Sequence, residues 1–304
     1  MQVVTEPEQI RETEPCSLAL GAFDGLHRGH MAVIRAAAEP PFADHAGVLT
    51  FSSSPSGGAA LITAEEKEKL LREAGISRLY SLCFSQVKNI PAEEFFQTTL
   101  LERCRAKRLC CGEDFRFGRG ARGDVPMLRT LCEKAGIELT VLPAVEENGE
   151  KISSTRIRAA VKEGDIPTAN RLLGRPFGYA GEVVHGNHIG TRLGFPTINQ
   201  PLPEHFAVPP FGVYASFVEL GGEKYFSVTN IGVKPTVGSD RVLAETWIPA
   251  FSGDLYGKRL RLSLLYFIRP ERKFDSLEEL KAEIQKNAEQ AKTLTTKDPF
   301  FLRG

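Results

Sequence analysis

The stretch Leu20-Gly-Ala-Phe-Asp-Gly-Leu-His-Arg-Gly-His30 decides how the first half of the chain is interpreted. It follows an apolar run at 17–20 that predicts a buried strand, and it precedes residues 31–38, which predict a helix. A helix N-terminus offers unpaired N–H groups and the positive end of the helix dipole, and His27 and His30 add donors beside it. Three glycines allow close approach of the backbone to a ligand: Gly21, Gly25 and Gly29. The stretch therefore predicts an anion site, and the alternative is an ordinary strand–turn–helix connection with two surface histidines.

The composition is that of an ordinary globular protein, since 304 residues, 42% of them hydrophobic, predict about two domains. The 38 basic residues balance the 38 acidic ones, which argues against nucleic acid or a membrane as a partner. No apolar run approaches the roughly 18 residues of a membrane span, and the acidic start of the chain lacks the layout of a signal peptide. A cytoplasmic protein is expected, and the sequence does not indicate an oligomer.

All six cysteines lie in the first half of the chain: Cys16, Cys83, Cys104, Cys110, Cys111 and Cys132. None forms a C-x-x-C pair, and the neighbours Cys110 and Cys111 would point to opposite faces of a strand. We expect six buried, reduced core residues rather than a metal site or disulfides.

Strand and helix signals alternate through the first half. Strands are predicted at 46–51, 78–84, 108–111 and 138–142, and helices at 63–74, 91–105 and 127–135. Strands separated by helices predict a parallel sheet, and ligands bind such sheets at the carboxyl ends of the strands. The histidine stretch lies at such an end.

Two further stretches lie where this rule places a site. Residues 112–118, Gly-Glu-Asp-Phe-Arg-Phe-Gly, follow a strand and suit a loop over a flat polar ligand. Residues 152–158, Ile-Ser-Ser-Thr-Arg-Ile-Arg, open a helix predicted at 155–162, and arginines in a first turn oppose the helix dipole. Residues that are unfavourable for the local structure often have a function. Here the two arginines at a helix start suggest a bound polyphosphate. The alternatives are a plain surface loop at 112–118 and solvated arginines at 152–158.

The pattern changes after Gly174-Arg-Pro176, where a short helix predicted at 165–173 ends and a domain boundary is expected at residue 175. Strand-like runs follow at short intervals: 179–184, 212–218, 224–228, 242–248 and 259–267. They predict a small antiparallel barrel or sandwich. Helical spacing at 276–292, with Ser276 as the cap, predicts a C-terminal helix that packs on it.

The second half carries polar residues suited to phosphate and metal binding. Four glycines give residues 181–199 the character of a flap over phosphates: Gly181, Gly186, Gly190 and Gly194. Thr197 and Asn199, two apart on a strand, point the same way and offer the hard oxygen ligands that Mg²⁺ prefers. His185 and His188 lack the spacing and the carboxylates of a zinc site.

Glu245 stands in the middle of a predicted strand, Leu-Ala-Glu-Thr-Trp, where a carboxylate is unusual unless it faces water or has a role. A general base for a hydroxyl is the functional interpretation, and a solvent-facing residue is the alternative. A turn at 230–236 is expected to place Asn230 and Lys234 nearby.

Taken together, these stretches resemble one family over nearly the whole chain, the bacterial bifunctional riboflavin kinases/FMN adenylyltransferases, also called FAD synthetases. The motifs follow the family's order: G-x-F-D-G-x-H-x-G-H at 21–30, G-E-D-F-x-F-G at 112–118, S-S-T-R-I-R at 153–158, G-F-P-T-x-N at 194–199, N-I-G-x-x-P-T at 230–236 and D-L-Y-G at 254–257. The resemblance implies a Rossmann-like α/β nucleotidyltransferase domain with a parallel sheet at 1–175. An antiparallel β-barrel riboflavin kinase domain with a C-terminal helix would occupy 176–304.

By resemblance, the first domain joins FMN to the AMP of ATP and releases pyrophosphate, without a covalent intermediate. His27 and His30 would stabilise the transition state, and Asp114 and Phe115 would lie near the flavin. The nucleotide would be bound by residues of two motifs: Gly21, Phe23, Asp24, Gly25, Gly29, Ser154, Thr155, Arg156 and Arg158.

By the same resemblance, the second domain phosphorylates riboflavin to FMN with ATP. Thr197 and Asn199 would hold Mg²⁺. Glu245 would take the proton from the terminal ribityl hydroxyl as that hydroxyl attacks the γ-phosphorus. Arg269 would contact the flavin. Two glycines of the flap would bind the nucleotide: Gly186 and Gly190.

The chain departs from the family pattern in places. Residues 52–55 read Ser-Ser-Ser-Pro, where the family usually has an acid, Pro, His and Pro on the flavin side of the adenylylation site. Ala22 replaces a common Asn, and Trp247 replaces a usual His two residues after the base. An active kinase with a weakened or lost adenylyltransferase is therefore the main competing hypothesis.

Two further hypotheses explain less of the sequence. A flavin-binding protein without turnover does not explain why the catalytic residues of both halves are intact. A transferase for another phosphorylated acceptor does not explain a riboflavin kinase barrel downstream.

Overall fold

A computed structural model describes residues 1–53, 57–186, 194–236 and 239–302, with the backbone alone for 234–236 and 239–240. The chain divides into two compact units, residues 1–60 with 64–153, and residues 61–63 with 154–304. The domain boundary expected at residue 175 stays a prediction.

The first unit contains the predicted parallel sheet, with β1 as an edge strand that was not predicted. Its six strands are β1 (Gln2–Val4), β2 (Cys16–Leu20), β3 (Ala46–Phe51), β4 (Arg78–Leu82), β5 (Ala106–Gly112) and β6 (Glu138–Leu142). Their order is β1-β4-β3-β2-β5-β6. The chain builds outward from β2 through β3 and β4, and then returns to β5 on the other side of β2. The topological switch point therefore lies between the carboxyl ends of β2 and β5, where such sheets bind ligands.

Five helices of the first unit connect these strands: α1 (Arg28–Ala37), α2 (Ala64–Glu73), α3 (Phe84–Val87), α4 (Ala92–Glu94, continued as a π-helix over Phe95–Arg103) and α5 (Val125–Ala135). The core between sheet and helices is apolar, with Leu20, Leu100 and Leu109 at most 2% exposed. Burial of each such side chain contributes about 1.5–3 kcal/mol. The π-helical turns were not predicted, because apolar spacing over nine residues does not separate a π-helix from an α-helix.

One expectation about the cysteines is wrong. Five are buried, but Cys83 is exposed. The strand predicted to run to residue 84 ends at Leu82, so Cys83 leaves the sheet and caps α3. Its Sγ lies 3.0 Å from the Ser85 hydroxyl, and that hydrogen bond lowers the pKa of the thiol.

A short hairpin, β7 (Glu146–Glu147) and β8 (Glu150–Lys151), follows β6 and was not predicted. Its turn residues Asn148 and Gly149 have φ of 57° and 77°. Positive φ at both positions matches the Asn-Gly preference of two-residue hairpin turns, so the signal was present in the sequence.

The second unit begins with α6 (Ser154–Glu163) and α7 (Ile166–Leu173) and continues as a six-stranded antiparallel sheet. The strands are β9 (Phe177–Glu182), β10 (Thr197–Pro201), β11 (Gly212–Leu220), β12 (Glu223–Thr236), β13 (Ser239–Trp247) and β14 (Arg259–Pro270). Their order is β10-β13-β12-β11-β14-β9. The helices α8 (Leu277–Thr295) and α9 (Pro299–Leu302) follow, and Ser276 caps α8 as predicted.

The predicted barrel is confirmed by contacts between the two edge strands, β9 and β10. The Tyr179 hydroxyl donates to the Gln200 carbonyl at 3.0 Å, and Gln200 Nε2 donates to the Gly181 carbonyl at 2.7 Å. Val184 N–H donates to the Asn199 carbonyl at 2.8 Å just beyond β9. These contacts curl the sheet until its edges meet, and they fix Asn199 beside the closure.

Helix α8 covers one face of the barrel sheet. Val213, Ala215 and Val228 of that face form a buried apolar cluster with Ala291 of α8, and Trp247 packs at its margin. The confirmed C-terminal helix thus adjoins the face that carries the polar residues of the second site.

Candidate active sites

The histidine loop of the first unit is held in an unusual backbone conformation. Phe23 and Leu26 have φ of 45° and 42° and are at most 2% exposed. Bulky residues rarely adopt positive φ, and such strain persists only where the surroundings impose it. Burial of both side chains offsets it here, and Thr50 Oγ1 donates to the Ala22 carbonyl at 2.7 Å. Strained loops of this kind are common at ligand sites.

The two histidines form one unit at the start of α1. His27, 5% exposed, is the N-cap residue, and its Nδ1 accepts from the His30 N–H at 3.2 Å. This capping explains why α1 begins at Arg28 rather than at the predicted Met31. The rings stack with centroids 3.5 Å apart, and Phe23 meets His30 edge-on at 5.4 Å. Because Nδ1 accepts, a neutral His27 carries its proton on Nε2, which is a donor.

The remaining predicted residues of this loop shape the same corner. A Cβ on Gly29 would lie 3.3 Å from the His27 ring, and one on Gly21 would lie 2.9 Å from the Phe23 ring. Gly25 has φ of 80°, and Asp24 is 9% exposed. The Phe23 ring thus leaves no room for a side chain at Gly21, the His27 ring leaves little at Gly29, and the backbone conformation favours glycine at position 25.

Lys67 of α2 is a cation near this loop that the sequence analysis missed. Burial lowers the pKa of Lys67, and the nearby Asp24 carboxylate opposes that shift. Nothing in the local sequence of α2 distinguishes Lys67 from a surface lysine, so the sequence carried no signal for it.

The loop 112–118 follows a strand, β5, as predicted. The strand order places it on the other side of the switch point from the histidine loop. The Asp114 carboxylate is exposed and pairs with Lys151 of the β7–β8 hairpin. The Phe115 ring stacks on Phe117 with centroids 5.7 Å apart and packs against the core. Asp114 is therefore accessible to a ligand, whereas Phe115 also has a structural role.

The S-S-T-R-I-R stretch opens α6 in the second unit, and that helix begins one residue earlier than predicted. Thr155 is exposed, while Ser154, Arg156 and Arg158 are half-buried. Arg156 lies in the first turn and Arg158 directly after it, so both arginines stand near the positive end of the helix dipole, as the sequence predicted.

The second unit brings three polar residues into one row across neighbouring strands. Asn199 of β10 pairs with Glu245 of β13, and Glu245 pairs with Asn230 of β12. Residues directly opposite each other in an antiparallel sheet point to the same face. The row continues through Val213 of β11 to Arg269 of β14. The carboxylate of Glu245 thus has an amide on each side.

Asn199 has the features of a cation ligand. It is 4% exposed, and within the described part of the chain its Oδ1 has no hydrogen-bond partner. A buried carbonyl oxygen without a partner is costly unless something else satisfies it. Thr197, two residues along, faces the same way. The oxygens of these two residues fit Mg²⁺.

Gly186 lies against Asn199, since a Cβ on Gly186 would be 2.3 Å from Asn199 Nδ2. The adjacent His185 ring stacks on Tyr256 with centroids 3.9 Å apart. The structure thus brings the start of the glycine flap to the predicted metal ligands. Gly190 and His188 lie outside the described residues, as do Ser54 and Pro55 of the altered loop.

Arg269 is already engaged by helix α8. Its Nε donates to Asn287 Oδ1 at 2.8 Å and lies 3.1 Å from the Glu283 carboxylate. A hydrogen bond from Asn287 lowers the pKa of Glu283, so that carboxyl stays ionised. A flavin contact by Arg269 therefore competes with this network or is made by its remaining N–H groups.

Comparisons with known proteins cover both units. The family described as FAD synthetase matches residues 9–156, and the family described as riboflavin kinase matches residues 173–295. The bifunctional riboflavin kinase/FMN adenylyltransferase of Escherichia coli K12 is 36% identical over 285 residues, 90% of this chain and 91% of that protein. The protein of that name from Pseudomonas fluorescens is 35% identical, over 97% of this chain and 98% of that protein.

One solved structure shares the fold over almost its full length. A crystal structure described as a macrolide-efflux protein from Streptococcus pneumoniae has a TM-score of 0.85 and 32% identity. The match covers 95% of this chain and 98% of that one. Among the described residues, no helix is long and apolar enough to cross a membrane.

Proposed function

Because the chain belongs to the bifunctional riboflavin kinase/FMN adenylyltransferase family, we propose which residues carry its two reactions. The protein is a bifunctional transferase that phosphorylates riboflavin to FMN and adenylylates FMN to FAD. Its substrates are riboflavin, FMN and ATP. The residue roles and Mg²⁺ are our proposal, as are the domain limits 1–175 and 176–304 and a cytoplasmic location.

For the kinase, Glu245 is the general base. It accepts the proton of the terminal ribityl hydroxyl while the hydroxyl oxygen forms a bond to the γ-phosphorus and ADP leaves. Asn199 and Thr197 hold Mg²⁺, which would offset the negative charge of the triphosphate when bound. Gly186, packed on Asn199, leaves space for the nucleotide, and Gly190 is proposed to act with it.

For the adenylyltransferase, catalysis is positioning and charge stabilisation. The FMN phosphate attacks the α-phosphorus and pyrophosphate leaves. His27 and His30 donate to the phosphate oxygens on which charge develops, with His27 held by its capping hydrogen bond. The nucleotide is bound by the backbone and side chains of the surrounding loop: Gly21, Phe23, Asp24, Gly25 and Gly29.

The start of α6 is proposed to bind the triphosphate of ATP. Ser154 and Thr155 supply hydroxyls and the N–H groups of a helix start, and Arg156 and Arg158 supply positive charge. The flavin contacts proposed are Asp114 and Phe115 in the first reaction and Arg269 in the second.

The observation that supports the kinase roles most is the buried Asn199 Oδ1 beside Glu245 in one row of the sheet. The experiment assays the half-reactions separately, riboflavin with ATP and FMN with ATP, while Mg²⁺ is removed by a chelator and restored. Phosphorylation should cease and return with Mg²⁺. Unchanged FMN formation after complete chelation would contradict the metal assignment.

A further inference from the structure

A third polar residue of the row, Asn230, has no role in the reactions as assigned so far. It lies directly opposite Glu245 in the β12–β13 pair. Its Nδ2 donates to Glu271 Oε1 at 3.0 Å. Glu271 is the first residue after β14, two strands away from β12. A contact across that distance needs a specific arrangement of the chain.

Glu271 reaches β12 because β11 has only just begun at that level of the sheet. Gly212, the first residue of β11, pairs with Ile231 on one side and Pro270 on the other. Beyond this level Glu271 extends across to Gly232. A Cβ on Gly232 would lie 2.2 Å from Glu271 Oε1, so a larger residue there would displace the carboxylate from this position.

This contact fixes the orientation of the Asn230 amide. A hydrogen bond to a carboxylate is stronger than one between neutral groups, and it keeps Nδ2 on the side of Glu271. Among the described residues, Asn230 Oδ1 accepts no hydrogen bond, so it remains an acceptor next to Glu245. An amide oxygen does not take up a proton at neutral pH, but it accepts hydrogen bonds from neutral hydroxyls.

A ribityl chain offers such hydroxyls. We propose that Asn230 positions riboflavin for phosphorylation by accepting a hydrogen bond from the ribityl hydroxyl next to the one that Glu245 deprotonates. Glu271 and Gly232 are positioning residues that hold the Asn230 amide in place. The inference rests on the proposed role of Glu245, and it adds a determinant of substrate specificity to that site.

The test compares riboflavin with a flavin whose side chain keeps the terminal hydroxyl but lacks the neighbouring one. The protein should use the analogue with a KM about tenfold higher, the effect of losing one hydrogen bond. Asn230→Ala should raise the KM for riboflavin about tenfold and leave the KM for the analogue unchanged. The variant would then no longer distinguish the two substrates.

The positioning residues are tested with Glu271→Ala and Gly232→Ala. Each should raise the KM for riboflavin more than it lowers kcat, and the double variant should be no worse than either single one, because both act through one contact. Glu223→Ala is the control, since this exposed carboxylate at the other end of β12 contacts the Tyr225 hydroxyl. Glu271 is itself exposed, so its variant tests the proposal even if Asn230→Ala folds poorly.

These variants could lower the melting temperature and still discriminate between the two flavins as the unaltered protein does. In that case Asn230 and Glu271 only stabilise the fold, and the proposal is wrong. An active Glu245→Gln would instead overturn the proposed base. The two failures are therefore distinguishable.

Discussion

Glu245 lies between two amides, Asn199 and Asn230, in its row of the barrel sheet. Glu245→Gln keeps the shape of the side chain and removes the proton acceptor. FMN formation should fall by about 10²–10⁴ in rate, the usual contribution of a general base. FAD formation from supplied FMN should persist. Glu223→Gln, on the neighbouring strand, is the control and should leave both reactions unchanged.

His30 stacks on His27. We propose that the pair stabilises the negative charge that develops as pyrophosphate leaves. His30→Ala should lower FAD synthesis from FMN by about 10²–10³ and leave riboflavin phosphorylation intact. His45→Ala replaces a histidine of the same unit that contacts Arg78 instead, and it should not affect catalysis. Equal loss of both activities in His30→Ala would point to a folding defect and contradict this role.

The types and spacing of the site residues could be predicted from the sequence, but their partners could not. Thr197 and Asn199 are two apart on a strand, so their common face follows from strand geometry. The contact of Glu271 with Gly232 depends on where β11 begins in the folded sheet. No local pattern encodes that long-range register.

The glycine flap and strand β10 meet where Gly186 packs on Asn199. Gly186→Ala would place a Cβ 2.3 Å from Asn199 Nδ2, so the amide must move. We expect the Mg²⁺ concentration for half-maximal kinase activity to rise about tenfold or more, as when a residue that orients a metal ligand is lost. A Mg²⁺ titration of FMN formation measures this. An unchanged titration would contradict the assignment of Asn199 as a ligand.

Helix α7 is joined to the barrel by Asn170, which is 2% exposed. Its Nδ2 donates to the Leu264 carbonyl at 3.0 Å, and its Oδ1 accepts from the Phe177 N–H at 2.7 Å. Asn170→Ala leaves both backbone groups buried and unpaired, which should lower the free energy of unfolding by about 2–4 kcal/mol. Urea denaturation measures the change. Thr168→Ala, on the same helix, should lower the free energy of unfolding by less than half as much.

Alternating strand and helix signals predicted the parallel sheet, and closely spaced strand-like runs predicted the antiparallel one, because burial imposes periods of about two and 3.6 residues on the sequence. The periodicity of the sequence does not predict how the barrel closes. It depends on Gln200, a fully buried polar residue whose Nε2 bonds to Gly181 on the far edge of the sheet. A polar residue in a strand looks solvent-facing until its partner is known.

At the scale of the whole molecule, the two reactions form a sequence in which the product of the barrel unit is the substrate of the other reaction. The altered loop at 52–55 is on the flavin side of the second reaction by resemblance. If this loop weakens flavin binding equally in the ground state and in the transition state, the KM for FMN rises and kcat does not fall.

The most direct measurement is a time course with purified protein, riboflavin, ATP and Mg²⁺, in which the flavins are separated and quantified. Our account predicts that riboflavin is converted first to FMN and then to FAD, with one ADP and one pyrophosphate released per FAD formed. A protein that forms no FMN at any Mg²⁺ concentration, or no FAD at saturating FMN, would contradict it.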